Sequence, residues 1–280
     1  MKWVATIACE GGPLLVADVD GFAHWTGAAS IPGTQKTLHY WGQFTRELPP
    51  PFAQDGGHRF EACASHEEAQ AKLRALVSAV RATFSGANVA ERDDGSIEIA
   101  LPDRRRMWAE LSPKSAYDAA WQAHQSEEAF THPISPTQHG LFWDTEGPGV
   151  VEIAISPARD AVLMLRTWPS GDENEAEEER AVRALVEPRS DREERAADIL
   201  LSSGASVFVW SPTAAAQLAD VSDLRALADA DPPASLRTTI FDGLGTVLRL
   251  VPGRYEATVA AHEGETWSCR WCRLTLKGGM

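Results

Sequence analysis

Between Glu10 and Gly27 the chain reads EGGPLLVADVDGFAHWTG, an order of residues that few local structures accommodate. Gly11, Gly12 and Pro13 impose a turn. Leu14 to Ala17 is a four-residue apolar run, which suits a buried strand. Asp18 stands where a helix N-cap belongs, ahead of a short helix from Val19 to Trp25 that Gly21 weakens. The stretch therefore predicts a turn, a buried strand and a cramped helix ending against a tryptophan.

The rest of the first half is mostly strand-like. Residues 2–8 and 37–48 predict strands, the latter closed by Pro49, Pro50 and Pro51. Ser65 and Glu68 have the spacing of a capping box, and Leu73, Leu76, Val80 and Phe84 then recur on one helical face. A hairpin over 88–92 and 96–101 turns at Asp-Gly, a strand over 106–111 follows, and a helix runs from about Ser115 to Gln125. Residues 126–141 hold two prolines, a glycine and several polar groups, and the boundary between two halves is placed there.

In the second half, residues 150–155, 161–168 and 205–210 predict strands. Between them lies an acidic block, in which six of the eight residues from Asp172 to Glu179 are carboxylates. Glu and Arg spaced three to four apart beyond it predict helices over 175–186 and 190–202, with helical material again over 213–228. The last fifty residues predict an antiparallel meander over 236–241, 246–251, 254–260 and 266–276. EGPGVV faintly echoes EGGPLL, which leaves a relation between the halves open.

The bulk properties narrow the function classes. The chain has 280 residues, 26 basic against 40 acidic, and a net charge of −14. Residues 1–140 carry 12 basic and 17 acidic groups, and residues 141–280 carry 14 and 23. Arg104, Arg105 and Arg106 are the one basic run, so nucleic acid is not the expected partner and basic proteins are. No apolar run approaches the roughly 18 residues of a membrane span, and the start is too short and poorly flanked for a signal peptide. A cytoplasmic protein is expected, and Cys9, Cys63, Cys269 and Cys272 form no disulfide framework.

Two constellations could carry chemistry. LLVADVDGF has the Asp-x-Asp-Gly spacing of haloacid dehalogenase-like phosphatases, in which Asp18 would be the nucleophile, Asp20 the general acid/base, and magnesium would bridge them. Lys114 is a conceivable third member, but no acidic pair follows to complete a metal site. Asp18 as a helix cap and Asp20 as a solvated turn residue is the structural alternative. Cys269 and Cys272 form a CxxC without a second pair, in a segment predicted as a strand, where positions three apart point to opposite faces. The histidines show no metal-binding spacing, so each is read as structural or exposed.

Two segments resemble the immunity protein 21 family of bacterial polymorphic toxin systems. Trp3, Gly11, Gly12, Pro13, Leu14 to Val16, Trp25 and Gly27 are similar to its opening pattern. Phe241, Asp242, Pro252, Gly253, Arg254 and Tyr255 are similar to its closing one, and the match covers about a third of the chain, at its two ends. The resemblance implies a cytoplasmic α+β protein that binds a cognate toxin and carries no catalytic residues.

The sequence therefore predicts an α+β fold, mainly antiparallel sheets with a few packed helices, in two domains, 1–128 and 140–280. The expected function is non-enzymatic neutralisation of a cognate, basic toxin domain, with the phosphatase as the alternative. No cofactor, metal, nucleic acid or membrane is expected. The expected contact surface is the acidic block: Asp172, Glu173, Glu175, Glu177, Glu178 and Glu179.

Overall fold

The computed structural model describes residues 1–31, 33–55, 57–92, 95–124, 127–169, 193–218, 223–237, 244–264 and 267–279. In chain order the first elements are β1 (Lys2–Glu10), β2 (Leu14–Asp18), α1 (Val19–Phe22), β3 (Thr37–Gly42), β4 (His58–Ala62) and α2 (His66–Thr83). Then come β5 (Asn88–Glu91), β6 (Ile97–Ala100), β7 (Arg106–Ser112), α3 (Ala116–Ala123), β8 (Ala129–Pro133) and β9 (His139–Trp143). The remainder are β10 (Pro148–Ile155), β11 (Ala161–Pro169), β12 (Glu194–Leu201), β13 (Ala205–Trp210), α4 (Leu224–Leu227), β14 (Ser235–Leu236), β15 (Gly245–Arg249), β16 (Gly253–Glu263) and β17 (Trp267–Gly279). The fold is α+β with antiparallel sheets, and among the described residues no helix is long and apolar enough to cross a membrane.

These elements form two units, residues 29–123 and residues 1–28 with 124–280. This is not the division into 1–128 and 140–280 that the sequence suggests. The reason is pairing at long range: β1 pairs with β10, and β2 with β13 and β9, so the first strands belong with the second half.

The larger unit is a sandwich of two six-stranded sheets, ordered β1-β10-β11-β17-β16-β12 and β14-β15-β13-β2-β9-β8. Alternate residues of both sheets meet in one apolar core, including Ile7, Leu14, Val16, Trp143, Met164, Phe208, Tyr255 and Leu274. Each fully buried side chain of this size contributes about 1.5–3 kcal/mol. The chain crosses between the sheets at four corners, after β1, β9, β12 and β15. At the first, Gly11 and Gly12 take φ of 109° and 80°, which side chains with a Cβ resist. Their carbonyls and that of Pro13 accept hydrogen bonds from Trp210 Nε1, Thr145 Oγ1 (3.0 Å) and Ser211 Oγ (2.6 Å).

The smaller unit is a five-stranded sheet, β4-β3-β7-β6-β5, with α2 on one face. Leu76 and Val80 pack against Leu38, Tyr40, Ile99 and Met107, as the helical spacing predicts. Ser65 accepts from the Glu68 N–H (3.2 Å), but the Glu68 carboxylate reaches the Ala64 N–H (2.7 Å), one residue beyond a strict capping box.

Several sequence expectations need correction. The helix over 190–202 is largely β12, because Ala197, Ile199 and Leu201 alternate into the sandwich core. The helix over 213–228 reduces to a 3-10 turn at Ala215–Gln217 and α4. The closing meander is divided: β14 and β15 pair in one sheet, β16 and β17 in the other, because the chain turns a corner between them. The strand over 37–48 ends at Gly42, and β4 falls where no strand is expected. The helix over 175–186 lies outside the described residues.

Glu193 stands beside the outer face of the first sheet. It accepts from Thr258 Oγ1 (2.6 Å), Arg273 Nε (2.8 Å) and Trp271 Nε1 (3.0 Å). Burial pushes its carboxyl up, but these hydrogen bonds and the Arg273 charge outweigh burial and hold it below the usual value. A depressed carboxyl stabilises the fold above its unfolded-state pKa, and that contribution is lost as pH falls through the folded-state value. Glu193→Gln should cost about 3 kcal/mol at neutral pH, because it leaves Arg273 buried without its partner. Urea unfolding of wild type and variant, compared at about pH 7 and about pH 3, should show the difference shrinking in acid.

Candidate functional site

The face of the five-stranded sheet opposite α2 carries aromatic rings and histidines instead of the polar residues usual on a solvated face. The register explains why they meet. His39 on β3 lies between Phe60 on β4 and Glu110 on β7, and Trp41 lies between His58 and Trp108. Glu98 on β6 stands next to Trp108 in the same row. Period-two alternation along each strand puts these side chains on one side and Leu38, Tyr40 and Met107 on the other, against α2.

The rings stack on one another. His39 lies 4.1 Å from Phe60 at 8° and 4.4 Å from Trp41 at 24°. Trp41 continues the row to His58 at 5.2 Å and to Trp108 at 6.1 Å. Stacked in this way the rings cover much of one another's faces and leave their rims and polar nitrogens outward. Phe60 is 55% exposed, the most exposed of the large apolar side chains among the described residues.

A hydrogen-bonded chain runs through the row. Glu110 Oε1 is 3.0 Å from His39 Nδ1, and His39 Nε2 is 2.8 Å from His58 Nδ1. An ionised carboxylate only accepts, so His39 Nδ1 carries the proton, its Nε2 accepts, and His58 Nδ1–H donates. The His39 hydrogen bond holds Glu110 below the usual carboxylate range against the effect of burial, helped by Lys114 at 2.9 Å. The chain fixes the ring orientations; it is a built surface, not a scatter of exposed aromatics.

Sequence reasoning took each histidine singly and missed this site. The available signal was the alternation His39-x-Trp41, His58-x-Phe60 and Trp108-x-Glu110, which acquires meaning only once three strands are in register.

Asp18 and Asp20 have different employment from the one their spacing suggests. Asp18 is 1% exposed. Its carboxylate accepts from the N–H groups of Asp20 (3.1 Å), Ser202 (2.7 Å) and Ser203 (2.6 Å). It caps α1 and pins the corner between β12 and β13. Asp20 is exposed and bonded to the Arg225 guanidinium at 2.6 Å. Lys114, the conceivable third member, is on Glu110. Among the described residues no three His, Cys, Asp or Glu side chains are grouped so as to hold a metal.

Cys269 and Cys272 point to opposite faces of β17, into the outer cluster and the sandwich core respectively. Burial pushes the Cys269 thiol up to about 12 and Cys272 higher still. Asp172, Glu173, Glu175, Glu177, Glu178 and Glu179 lie outside the described residues. No family model, no curated protein and no solved structure matches the chain.

Asp18→Asn should cost about 2–4 kcal/mol, because an amide cannot satisfy the converging N–H groups that the carboxylate accepts. Chemical denaturation measures it, and a variant as stable as wild type would remove the structural role assigned to Asp18.

Proposed function

We propose that the protein is a non-enzymatic inhibitor that binds and neutralises a cognate bacterial toxin domain in the cytoplasm. The observation that carries this reading is the ordered aromatic row on the helix-free face of the smaller unit. Trp, Tyr and Phe are enriched at the centres of protein interfaces, where a few of them supply most of the binding energy. A single-stranded nucleic acid would need free ring faces and a basic groove. Here the ring faces are engaged with one another, and Glu98 and Glu110 share the surface. The resemblance to toxin-immunity proteins supplies the class of partner.

The acidic block supplies a second proposed element. A net charge of −14 attracts a basic domain from beyond contact range. Charges of this kind act on association rate more than on final affinity. Division of labour follows: Asp172, Glu173, Glu175, Glu177, Glu178 and Glu179 steer, and the aromatic row holds.

The direct test is co-expression with the toxic C-terminal domain of the large secreted protein encoded upstream. Restored growth, with a purified complex of defined stoichiometry, supports the proposal, and growth arrest without a complex overturns it. Magnesium-dependent phosphoester hydrolysis, lost in an Asp18→Asn protein that remains folded, would replace it with the phosphatase reading.

In that complex, Trp41→Ala, Trp108→Ala and Phe60→Ala should each weaken binding at least ~30-fold, the hot-spot range of about 2 kcal/mol or more. Phe60→Ala is the cleanest of the three, since an exposed ring contributes little to the fold. Unchanged affinity by surface plasmon resonance in all three would remove this face from the interface.

Reversing Glu175, Glu177 and Glu178 to Lys should slow association about tenfold at low salt and flatten its salt dependence, with little change in dissociation rate. An unaltered association rate would remove the acidic block as a steering element.

A further inference from the structure

Arg166 on β11 is the most costly group in the sandwich. It is 4% exposed, yet its Nε and Nη1 have no hydrogen-bond acceptor, and its remaining contact is Nη2 donating to the Pro148 carbonyl. A guanidinium is charged at every accessible pH and has five N–H groups to satisfy. Arg270, directly opposite on β17, has its charge answered by Glu146 at 2.6 Å. Arg166 has no such carboxylate. The one titratable neighbour that interacts with its charge is Cys9, whose thiol burial pushes up to about 12 and so keeps neutral.

The surroundings are built to hold the group in place. Gly149 has φ of 151°, and a Cβ there would overlap the guanidinium, so glycine makes the room. Trp168 lies over the cation at 5.0 Å. A cavity of about 470 Å³ adjoins, lined by Arg166 and Trp168 with Thr6, Val150, Glu152 and Thr167. A buried, unpaired charge costs several kcal/mol, and evolution retains one where something else completes it. Hydroxyls and an aromatic wall around a fixed guanidinium are the ordinary make-up of an oxyanion pocket.

We infer that this cavity binds one small oxyanion, a carboxylate or a phosphate, whose charge answers Arg166. The ligand enters beside Val150 and Trp168, with its charged end at the guanidinium and its flank against the indole. Glu152 on the lining limits net negative charge and selects for small anions. The site lies in the sandwich, and its occupancy does not depend on whether the aromatic row binds a toxin.

The test is a thermal-shift and calorimetric titration of the full chain with acetate and, separately, inorganic phosphate, at constant ionic strength with chloride as the background anion. One of the two should raise Tm saturably, by roughly 2–5 °C at tenfold its Kd, and so identify the anion class. Arg166→Met should abolish the response while leaving the anion-free protein folded. Val150→Trp, at an exposed position on the cavity wall, should block the response with the guanidinium retained, and it decides the matter should Arg166→Met fail to fold. A response to neither anion beyond that to chloride, or one that survives both substitutions, overturns the proposal.

Discussion

Two sheets can share one core only if the chain turns between them without exposing or starving its backbone, and that constraint governs the sandwich. Each corner strips peptide groups of their ladder partners and places them near the apolar interior, where an unpaired group costs about 1–3 kcal/mol. The segment from Gly11 to Asp18 resolves the problem at both ends of one strand. Its first carbonyls accept from Trp210, Thr145 and Ser211. Its last side chain, Asp18, accepts the N–H groups of the corner between β12 and β13. β2 is buried along its whole length between β13 and β9, so a fault at either end would propagate to the strands beside it.

Local order was legible where a single period dominated. The apolar face of α2, the hairpin of β5 and β6, and the buried run of β2 are each set by residues within a few positions of one another. What failed was of two kinds. At 190–202 the charge spacing favours a helix while Ala197, Ile199 and Leu201 favour a strand, and a wide apolar core decided between them. The insertion of residues 29–123 into the larger unit could not be read at all, because it depends on β1 finding β10 across the chain. The aromatic row is a case of the same limit. His39, Trp41, His58, Phe60 and Trp108 are visible as residues, but their adjacency is a property of register, which no one segment encodes.

Asp18 shows why a short catalytic pattern misleads in this setting. A carboxylate after a buried strand is useful to a phosphatase as a nucleophile and useful to a sandwich as a cap, and the same residue type meets both needs. The two uses differ in what surrounds the oxygen atoms. A nucleophile keeps one oxygen open to substrate, whereas Asp18 is 1% exposed and its Oδ2 accepts from both Ser202 and Ser203. Burial and partner count, neither of which spacing reports, separate the two.

Charge is distributed in a way that bears on both proposed sites. Residues 29–123 hold 11 basic and 12 acidic groups, so almost all of the −14 belongs to the larger unit. The aromatic row thus sits in a nearly neutral unit, where contact energy comes from desolvated rings and depends weakly on salt. Steering toward a basic domain falls to the larger unit, whose field fades over a Debye length of about 8 Å at physiological ionic strength. The same field opposes any anion approaching Arg166. Screening reduces that repulsion at a distance, while inside the cavity the guanidinium acts through a medium of low polarisability and at contact range. Selectivity follows from that balance: an anion small enough to enter gains the full local attraction, and a larger or more highly charged one meets the acidic surface first.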